Sequence, residues 1–192
     1  NFSLLADIAN ERFMPLTYGG GVTTFEQAQH ILSIGFEKIS LNTSCVHDPR
    51  LLSQLSENFG AQAIIGSIDV KRNLFGNYQV MALNGKESIG KDPVEYAKEL
   101  EILGVGEILL TAIDREGTWQ GFDIELVKAV ADSVDIPVIA HGGAGNVEHI
   151  REVVNQGNAS AVALGAMVVF QKKSMGVLVN FPERAALEQA IS

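Results

Sequence analysis

The sequence has little cysteine and little basic charge, and it has no long apolar run. The single cysteine, Cys45, excludes an internal disulfide and fits a reducing cytoplasm. The 14 Lys and Arg residues against 23 Asp and Glu give a net charge of -9, which argues against nucleic acid or an anionic membrane as a partner. No stretch is long and apolar enough to span a bilayer. The histidines and the cysteine lack metal-site spacing, so we expect no metal and no cofactor.

What the chain does have is an internal repeat. Pro15 to Gly21 (PLTYGGG) recurs, at an offset of 122 residues, as Pro137 to Gly143 (PVIAHGG). Each copy opens a helix pattern that closes on a glycine, Gly35 or Gly157, and a second apolar run follows. The repeat predicts two strand–glycine–helix–strand halves of one barrel, with two symmetry-related phosphate sites.

Apolar runs alternate with helix patterns along the chain, which predicts parallel βαβ units of an α/β fold. If Ala61 opens the second half, the first half began before Asn1. We therefore expect residues 1–192 to form a single (β/α)8 TIM barrel domain that lacks its first two strands, the N-terminal quarter of a chain of about 250 residues. The predicted strands, which read as buried on both faces, are Met14–Tyr18, Lys38–Asn42, Ala63–Ile68, Glu107–Thr111, Pro137–Ala140 and Ala161–Leu164.

The predicted helices carry start signals. Asp48 and Asp92 precede a proline, and Asp123 precedes Ile124, as capping residues do. Asn77–Leu83 interrupts the alternation and predicts a short hairpin strand over the top face. The predicted helices are Thr24–Ile34, Pro49–Phe59, Pro93–Leu103, Ile124–Ser133 and Val147–Gln156.

The two glycine clusters are candidate phosphate sites, because glycine lets backbone N–H groups approach an anion without a Cβ in the way. A tight turn after a strand also favours glycine, so this alternative stays open for either cluster alone. The strand that follows each cluster completes its site with Asn42 and Thr43 in one half and Gly165 and Ala166 in the other.

Asp69 ends an apolar strand where the mouth of a parallel barrel would lie, which is typical of an acid or base with a raised pKa. The alternative is a loop carboxylate paired with Lys71. Asp114 could also be catalytic, although its run with Arg115 and Glu116 is more simply a network within the loop.

Histidine is scarce in this sequence. His141, directly before a glycine pair, could donate to phosphate, carry a proton or fill space behind the site. We expect the other histidines to be solvated, and these are His30, His47 and His149.

Several motifs resemble the HisF family, the cyclase subunits of imidazole glycerol phosphate synthase. They cover most of the chain and are Tyr18 to Gly21 (YGGG), Ser40 to Thr43 (SLNT), Ser67 to Arg72 (SIDVKR), Gly106 to Thr118 (GEILLTAIDREGT) and Gly142 to Gly145 (GGAG). The resemblance implies a barrel that takes ammonia from a glutaminase subunit. It also implies a bisphosphate substrate, N'-phosphoribulosyl-formimino-aminoimidazole-carboxamide ribonucleotide, converted to imidazole glycerol phosphate and aminoimidazole-carboxamide ribonucleotide.

The resemblance also implies roles for single residues. Asp69 matches the general acid, whereas the family's general base lies on the first strand. Lys38 and Glu107 match a charged ring where ammonia enters, with Glu37 and Thr17 on the same face. One phosphate site would be Gly20, Gly21, Asn42 and Thr43. The other would be Thr111, Gly117, Gly142, Gly143, Gly165 and Ala166, with His141 beside them.

The chain departs from this pattern at three site positions. His141 stands where the family usually has a small residue, Glu116 replaces Asp, and Ala166 replaces a hydroxyl residue. Two further stretches, Phe13–Leu16 and Lys173–Pro182, are more similar to a HisF paralogue of surface-polysaccharide pathways. The alternative function is therefore a non-cyclase paralogue that conducts ammonia from its glutaminase to a third enzyme, which makes an acetamidino sugar.

Overall fold

The computed structural model describes residues 2–170 and 176–191. Over these residues, strands joined in parallel form a curled sheet in the order β1-β2-β3-β6-β7-β8, with β4 and β5 as an antiparallel extension of β3. This is the (β/α)8 barrel type of α/β fold that the sequence predicts. The strands are β1 (Thr17–Gly19), β2 (Lys38–Leu41), β3 (Ile64–Arg72), β4 (Tyr78–Ala82), β5 (Glu87–Ser88), β6 (Glu107–Ala112), β7 (Val138–His141) and β8 (Ala161–Ala163).

The helices follow the strands, as parallel connections require. They are α1 (Phe2–Asn10), α2 (Phe25–Ser33), α3 (Thr43–His47), α4 (Pro49–Phe59), α5 (Pro93–Ile102), α6 (Ile124–Ala131), α7 (Val147–Gly157), α8 (Ala166–Val169) and α9 (Arg184–Ile191). No helix within the described ranges is long and apolar enough to cross a membrane.

The predicted helix starts are confirmed by their caps. The side chains of Asp48, Asp92 and Asp123 each accept a hydrogen bond from a backbone N–H in the first turn of the helix that follows. Helix α7 runs one residue past its predicted end at Gln156, and the left-handed residue that closes it is Asn158, with φ of 56°, rather than the predicted Gly157. The short helices α3 and α8 were not predicted, because neither is long enough to show a helical repeat of apolar residues.

The strand prediction is wrong at the start of β1. That strand begins at Thr17 rather than Met14, and the exposed Met14 lies outside the sheet. Pro15 has no N–H to donate to a neighbouring strand, which explains the late start.

The two faces of the sheet differ, which corrects the expectation that the strands are buried on both sides. Ile39, Ile64 and Ile108 point to the helices and are fully buried, whereas the alternate residues Ser67 and Leu109 face the concave inner side and are only half-buried. A Cβ on Gly66, whose neighbour is Ser67, would lie 2.9 Å from a methyl carbon of Leu100 on α5. The helix layer thus packs directly onto the strand backbone, and the inner side stays available for polar groups.

The hairpin of β3 and β4 lies where the sequence predicts it, over the carboxyl end of the sheet. Residues Asp69–Arg72 pair with Tyr78–Met81 in antiparallel register. Asp123, 4% exposed, anchors this hairpin: it accepts from the Tyr78 hydroxyl at 2.7 Å, from Arg72 at 3.2 Å and from the Leu126 N–H at 3.2 Å. One buried carboxylate therefore ties the hairpin to the start of α6.

Replacing Asp123 by alanine is expected to lower the free energy of unfolding by about 2–4 kcal/mol, because a helix cap and two hydrogen bonds to the hairpin are lost together. Urea titration followed by circular dichroism measures the change. The matched control is Glu125→Ala, since Glu125 contacts the same arginine at 3.4 Å but is 84% exposed. That variant should lose little, and an equal loss in both variants would mean that Asp123 does not anchor the hairpin.

Candidate functional site

The strand register places three predicted site residues in one row. Asp69 pairs with Thr111, and Thr111 pairs with His141, across the neighbouring strands β3, β6 and β7. The row lies near the carboxyl ends of β6 and β7 and where β3 continues into the hairpin, at the end of such barrels where chemistry takes place. The acid candidate and part of the second phosphate site are thereby brought together.

The first predicted phosphate site lies open beside Asp69. A cavity of about 390 Å³ contains Gly20, Gly21, Asn42, Thr43 and the Asp69 side chain. Nothing lies within 4 Å of a Cβ built on Gly20 or Gly21, so their backbones are free to approach a ligand. The other residues of the cavity are Gly19, Val22, Thr23, Ser40, Leu41, Ser44, His47, Asp48, Ser67 and Asn84.

The turn after β4 covers part of this cavity. The Leu83 N–H donates to the Thr43 hydroxyl oxygen at 3.1 Å, which leaves the Thr43 proton free to donate to a ligand. Leu83 and Asn84 both have positive φ, 50° and 57°. Asn84 was not singled out from the sequence, although the Asn84-Gly85 pair signals such a turn.

The Asp69 carboxyl is partly buried and is not a simple loop charge. Burial raises its pKa above the usual range. A hydrogen bond from Asn42 and the charge of His141 lower the pKa, but by less than burial raises it. No ion pair of the described residues includes Asp69, so the alternative pairing with Lys71 is wrong; Arg72 pairs with Asp123 and Glu125 instead. A carboxyl in this setting holds its proton more readily than an exposed one, as a general acid must.

The second glycine cluster is closed. Gly142 and Gly143 are buried, and the Gly121 N–H donates to the Gly143 carbonyl oxygen at 2.8 Å. A Cβ on Gly142 would lie 2.5 Å from the Ala112 oxygen, and one on Gly143 would lie 2.2 Å from the Gly121 oxygen. These two glycines allow the loop between β6 and α6 to pack against them.

The three departures from the family pattern meet in space. The Glu116 carboxylate accepts from the Ala166 N–H at 2.9 Å, and its second oxygen lies 3.8 Å from Nε2 of His141. The other ring nitrogen of His141 lies 3.2 Å from the Thr111 hydroxyl. A protein carboxylate thus stands at Gly165 and Ala166, where the sequence led us to expect a phosphate. Gly117 lies beside this group in the same loop and is exposed.

The predicted network within the charged loop is wrong, because each of its members has a partner elsewhere. Asp114 accepts from the Arg72 N–H, Arg115 contacts Asp123 and the Gly121 carbonyl, and Glu116 contacts Ala166. The loop is held by its surroundings rather than by its own charges.

One of the three histidines expected to be solvated is not. His149 accepts from the Gly145 N–H at 3.1 Å through Nδ1 and is half-buried, so it holds the glycine loop before α7. His30 and His47 are exposed, as expected. Across residues 2–170 and 176–191, no group of three His, Cys, Asp or Glu side chains could hold a metal ion.

The Cys45 thiol is buried in the core, and burial raises its pKa to about 12. Because the thiolate is the reactive form, native protein at pH 8 is expected to react with Ellman's reagent at a rate limited by unfolding. Absorbance at the thionitrobenzoate wavelength reports the rate, and protein in urea should release one equivalent at once. Prompt release without denaturant would contradict the assignment of Cys45 as a core residue.

A second polar group lies at the other end of the strands. The Lys38 ammonium and the Glu107 carboxylate form an ion pair across the start of β3, with side chains 31% and 23% exposed. Both charges were predicted at this end, and the structure pairs them with each other. Glu37 and Thr17 are exposed beside the pair.

Comparison of the sequence with known proteins shows the family of this chain. Residues 1–174 match the family described as histidine biosynthesis protein. The chain is 42% identical over 183 residues to hisF2 of Pseudomonas aeruginosa, covering 95% of this chain and 73% of that protein. The chain belongs to the HisF family.

Two further members show the same relationship. Identity to hisF3 of Vibrio vulnificus is 38% over 192 residues, covering 100% of this chain and 74% of that protein. Identity to the imidazole glycerol phosphate synthase subunit HisF of a Nostoc species is 40% over 176 residues, 90% of this chain and 68% of that protein. The names of hisF2 and hisF3 assign both only provisionally to imidazole glycerol phosphate synthase.

The described residues of the two stretches compared above with a HisF paralogue are largely exposed. Phe13 and Met14 are exposed, and so are Val177, Leu178 and Val179. Lys173, Ser174 and Met175 lie outside the described residues. Their resemblance to the paralogue stays a prediction.

Proposed function

We propose that this chain is a HisF-type synthase subunit that uses ammonia from a HisH-like glutaminase partner, in the cytoplasm, to act on a phosphorylated small molecule at the Asp69 pocket. The observation that carries the proposal is one arrangement on the inner side of the sheet. A carboxyl whose pKa is raised by burial lies beside an open glycine-lined cavity at one end of the strands, and the Lys38–Glu107 pair lies at the other.

The Asp69 end supports binding and proton transfer. Gly20 and Gly21 would present backbone N–H groups to a phosphate, and Asn42 and Thr43 would add side-chain donors. Asp69, with its pKa raised by burial, would give its proton to the bound substrate during ring formation.

The Lys38–Glu107 end supports delivery of ammonia. Burying the charges of an ion pair at the start of two strands has a free-energy cost of desolvation. The pair also does not close this end of the barrel as packed apolar side chains would. Between this pair and Asp69, the inner side carries the buried Ile65 and the half-buried Ser40, Ser67 and Leu109. A neutral ammonia molecule would pass the pair when it opens and move along this side to the pocket.

A second candidate function is the ammonia conduit that serves a third enzyme, without cyclase chemistry here. Glu116 favours it, because a carboxylate stands at Gly165 and Ala166, where the bisphosphate of a cyclase would place its second phosphate. The same fold, partner and entrance would serve this function.

The two candidates separate in a direct assay. The full-length protein is mixed with N'-phosphoribulosyl-formimino-aminoimidazole-carboxamide ribonucleotide and excess ammonium. The two products are then separated by liquid chromatography. A synthase forms both products in proportion to protein, even if high substrate concentrations are needed. No product under any condition would contradict the synthase and favour the conduit.

A further inference from the structure

We propose that Glu116 is a built-in anion that fills the second phosphate position, so that this chain binds phosphate at the Asp69 pocket alone and selects ligands that carry a single phosphate. The inference goes beyond the proposed function and rests on it only for the first phosphate site. It assigns a specificity-determining role to a residue outside the acid–base machinery.

The first step is occupancy. A Cβ built on Gly165 would lie 2.5 Å from one Glu116 oxygen and 3.3 Å from Nε2 of His141. The carboxylate therefore fills the space that the missing glycine side chain leaves open. The same oxygen accepts the Ala166 N–H at 2.9 Å, which removes that donor from any incoming anion.

The second step is comparison with the other half of the repeat. At the 122-residue offset Gly165 corresponds to Thr43 and Ala166 to Ser44, and both of those residues line the open cavity. Helix α3 there has no side-chain cap, and the Asn42 side chain forms a hydrogen bond to Asp69. The two half-sites share a backbone plan, and a protein carboxylate fills only the second.

The third step is charge. Cationic groups near Glu116 could have offset a second anion, but Arg115 contacts Asp123 and the Gly121 carbonyl. His141 faces Thr111 through one nitrogen and Glu116 through the other. A phosphate at Gly165 and Ala166 would have to displace the Glu116 carboxylate, which accepts from the Ala166 N–H and faces His141.

The test counts bound phosphate. Isothermal titration calorimetry with inorganic phosphate is applied to the full chain, to Glu116→Ala and to the control Glu57→Ala, which removes one exposed charge from α4. We expect one site in the unmodified chain and in the control. Glu116→Ala should gain a second site that binds at least about tenfold tighter than any second binding by the unmodified chain.

Adding Gly21→Val to each protein locates the sites, because a valine crowds only the first pocket. It should abolish the single site of the unmodified chain and leave the new site of Glu116→Ala. Two sites in the unmodified chain, or no gained site in a folded Glu116→Ala protein, would overturn the inference. No site in the unmodified chain but one in Glu116→Ala would support the inference and contradict the phosphate site assigned in the proposed function.

Discussion

Asp69→Asn is expected to reduce ammonium-dependent turnover of the phosphorylated substrate about 100- to 10,000-fold while changing KM little. The substitution removes the proton donor and keeps the size and hydrogen-bonding capacity of the side chain. Asp69 lies in the cavity beside Gly20 and Gly21 but is not itself one of the predicted phosphate contacts. Steady-state rates at several substrate concentrations separate the two parameters.

The stability of Asp69→Asn shows whether a loss of activity comes from unfolding of the variant or from loss of the proton donor. Because burial raises the pKa of Asp69, the folded state binds its proton more tightly than the unfolded state. Ionisation of the Asp69 carboxyl therefore lowers the free energy of unfolding as the pH rises through the folded-state pKa. Asn does not ionise, so the variant does not lose this stability. Urea unfolding at pH 7 should show a variant at least as stable as the unmodified chain. Near-normal turnover in the folded variant would show that Asp69 is not the acid.

Lys38→Glu is expected to lower glutamine-driven activity of the complex at least about tenfold, with ammonium-driven activity unchanged. The substitution sets two carboxylates against each other where Lys38 and Glu107 now pair, so that end of the barrel should be disrupted. Free ammonia can still reach the Asp69 pocket from solvent. Parallel assays with glutamine and with ammonium chloride measure the ratio.

The charge-swapped double variant, Lys38→Glu with Glu107→Lys, is the matched control. It restores an opposite-charge pair at the same place and should recover most of the glutamine-driven activity. If Lys38→Glu alone leaves both glutamine-driven activity and affinity for the glutaminase unchanged, the pair is a structural contact and not a gate.

Much of the fold could be predicted, because local signals agreed with the tertiary arrangement. Asp48-Pro49 and Asp92-Pro93 fixed two helix starts to the residue, and the apolar run before Asp69 placed β3. Helix α9 was missed because its residues include none that is buried, so no apolar stripe marks it. The difference between the two sheet faces was missed because alternate residues such as Ser67 and Leu109 are small or apolar and look like core.

The candidate site was predictable only in part. The strand register sets Asp69 in one row with Thr111 and His141. The repeat predicted two glycine-lined sites, of which the one at Gly20 and Gly21 is open and the one at Gly142 and Gly143 is closed. It could not show that Glu116, 50 residues away in sequence from Ala166, reaches across to it. Such a contact depends on the path of a loop and the length of one side chain, and neither leaves a periodic signal.

The most direct test of the central claim, that this chain takes ammonia from a glutaminase, is the rate of glutamine hydrolysis by a HisH-type subunit with and without the protein. The account predicts a 1:1 complex and a hydrolysis rate that rises as the protein is added, with the rise reduced by Lys38→Glu and kept by Asp69→Asn. An unchanged rate and no complex at tens of micromolar protein would contradict it.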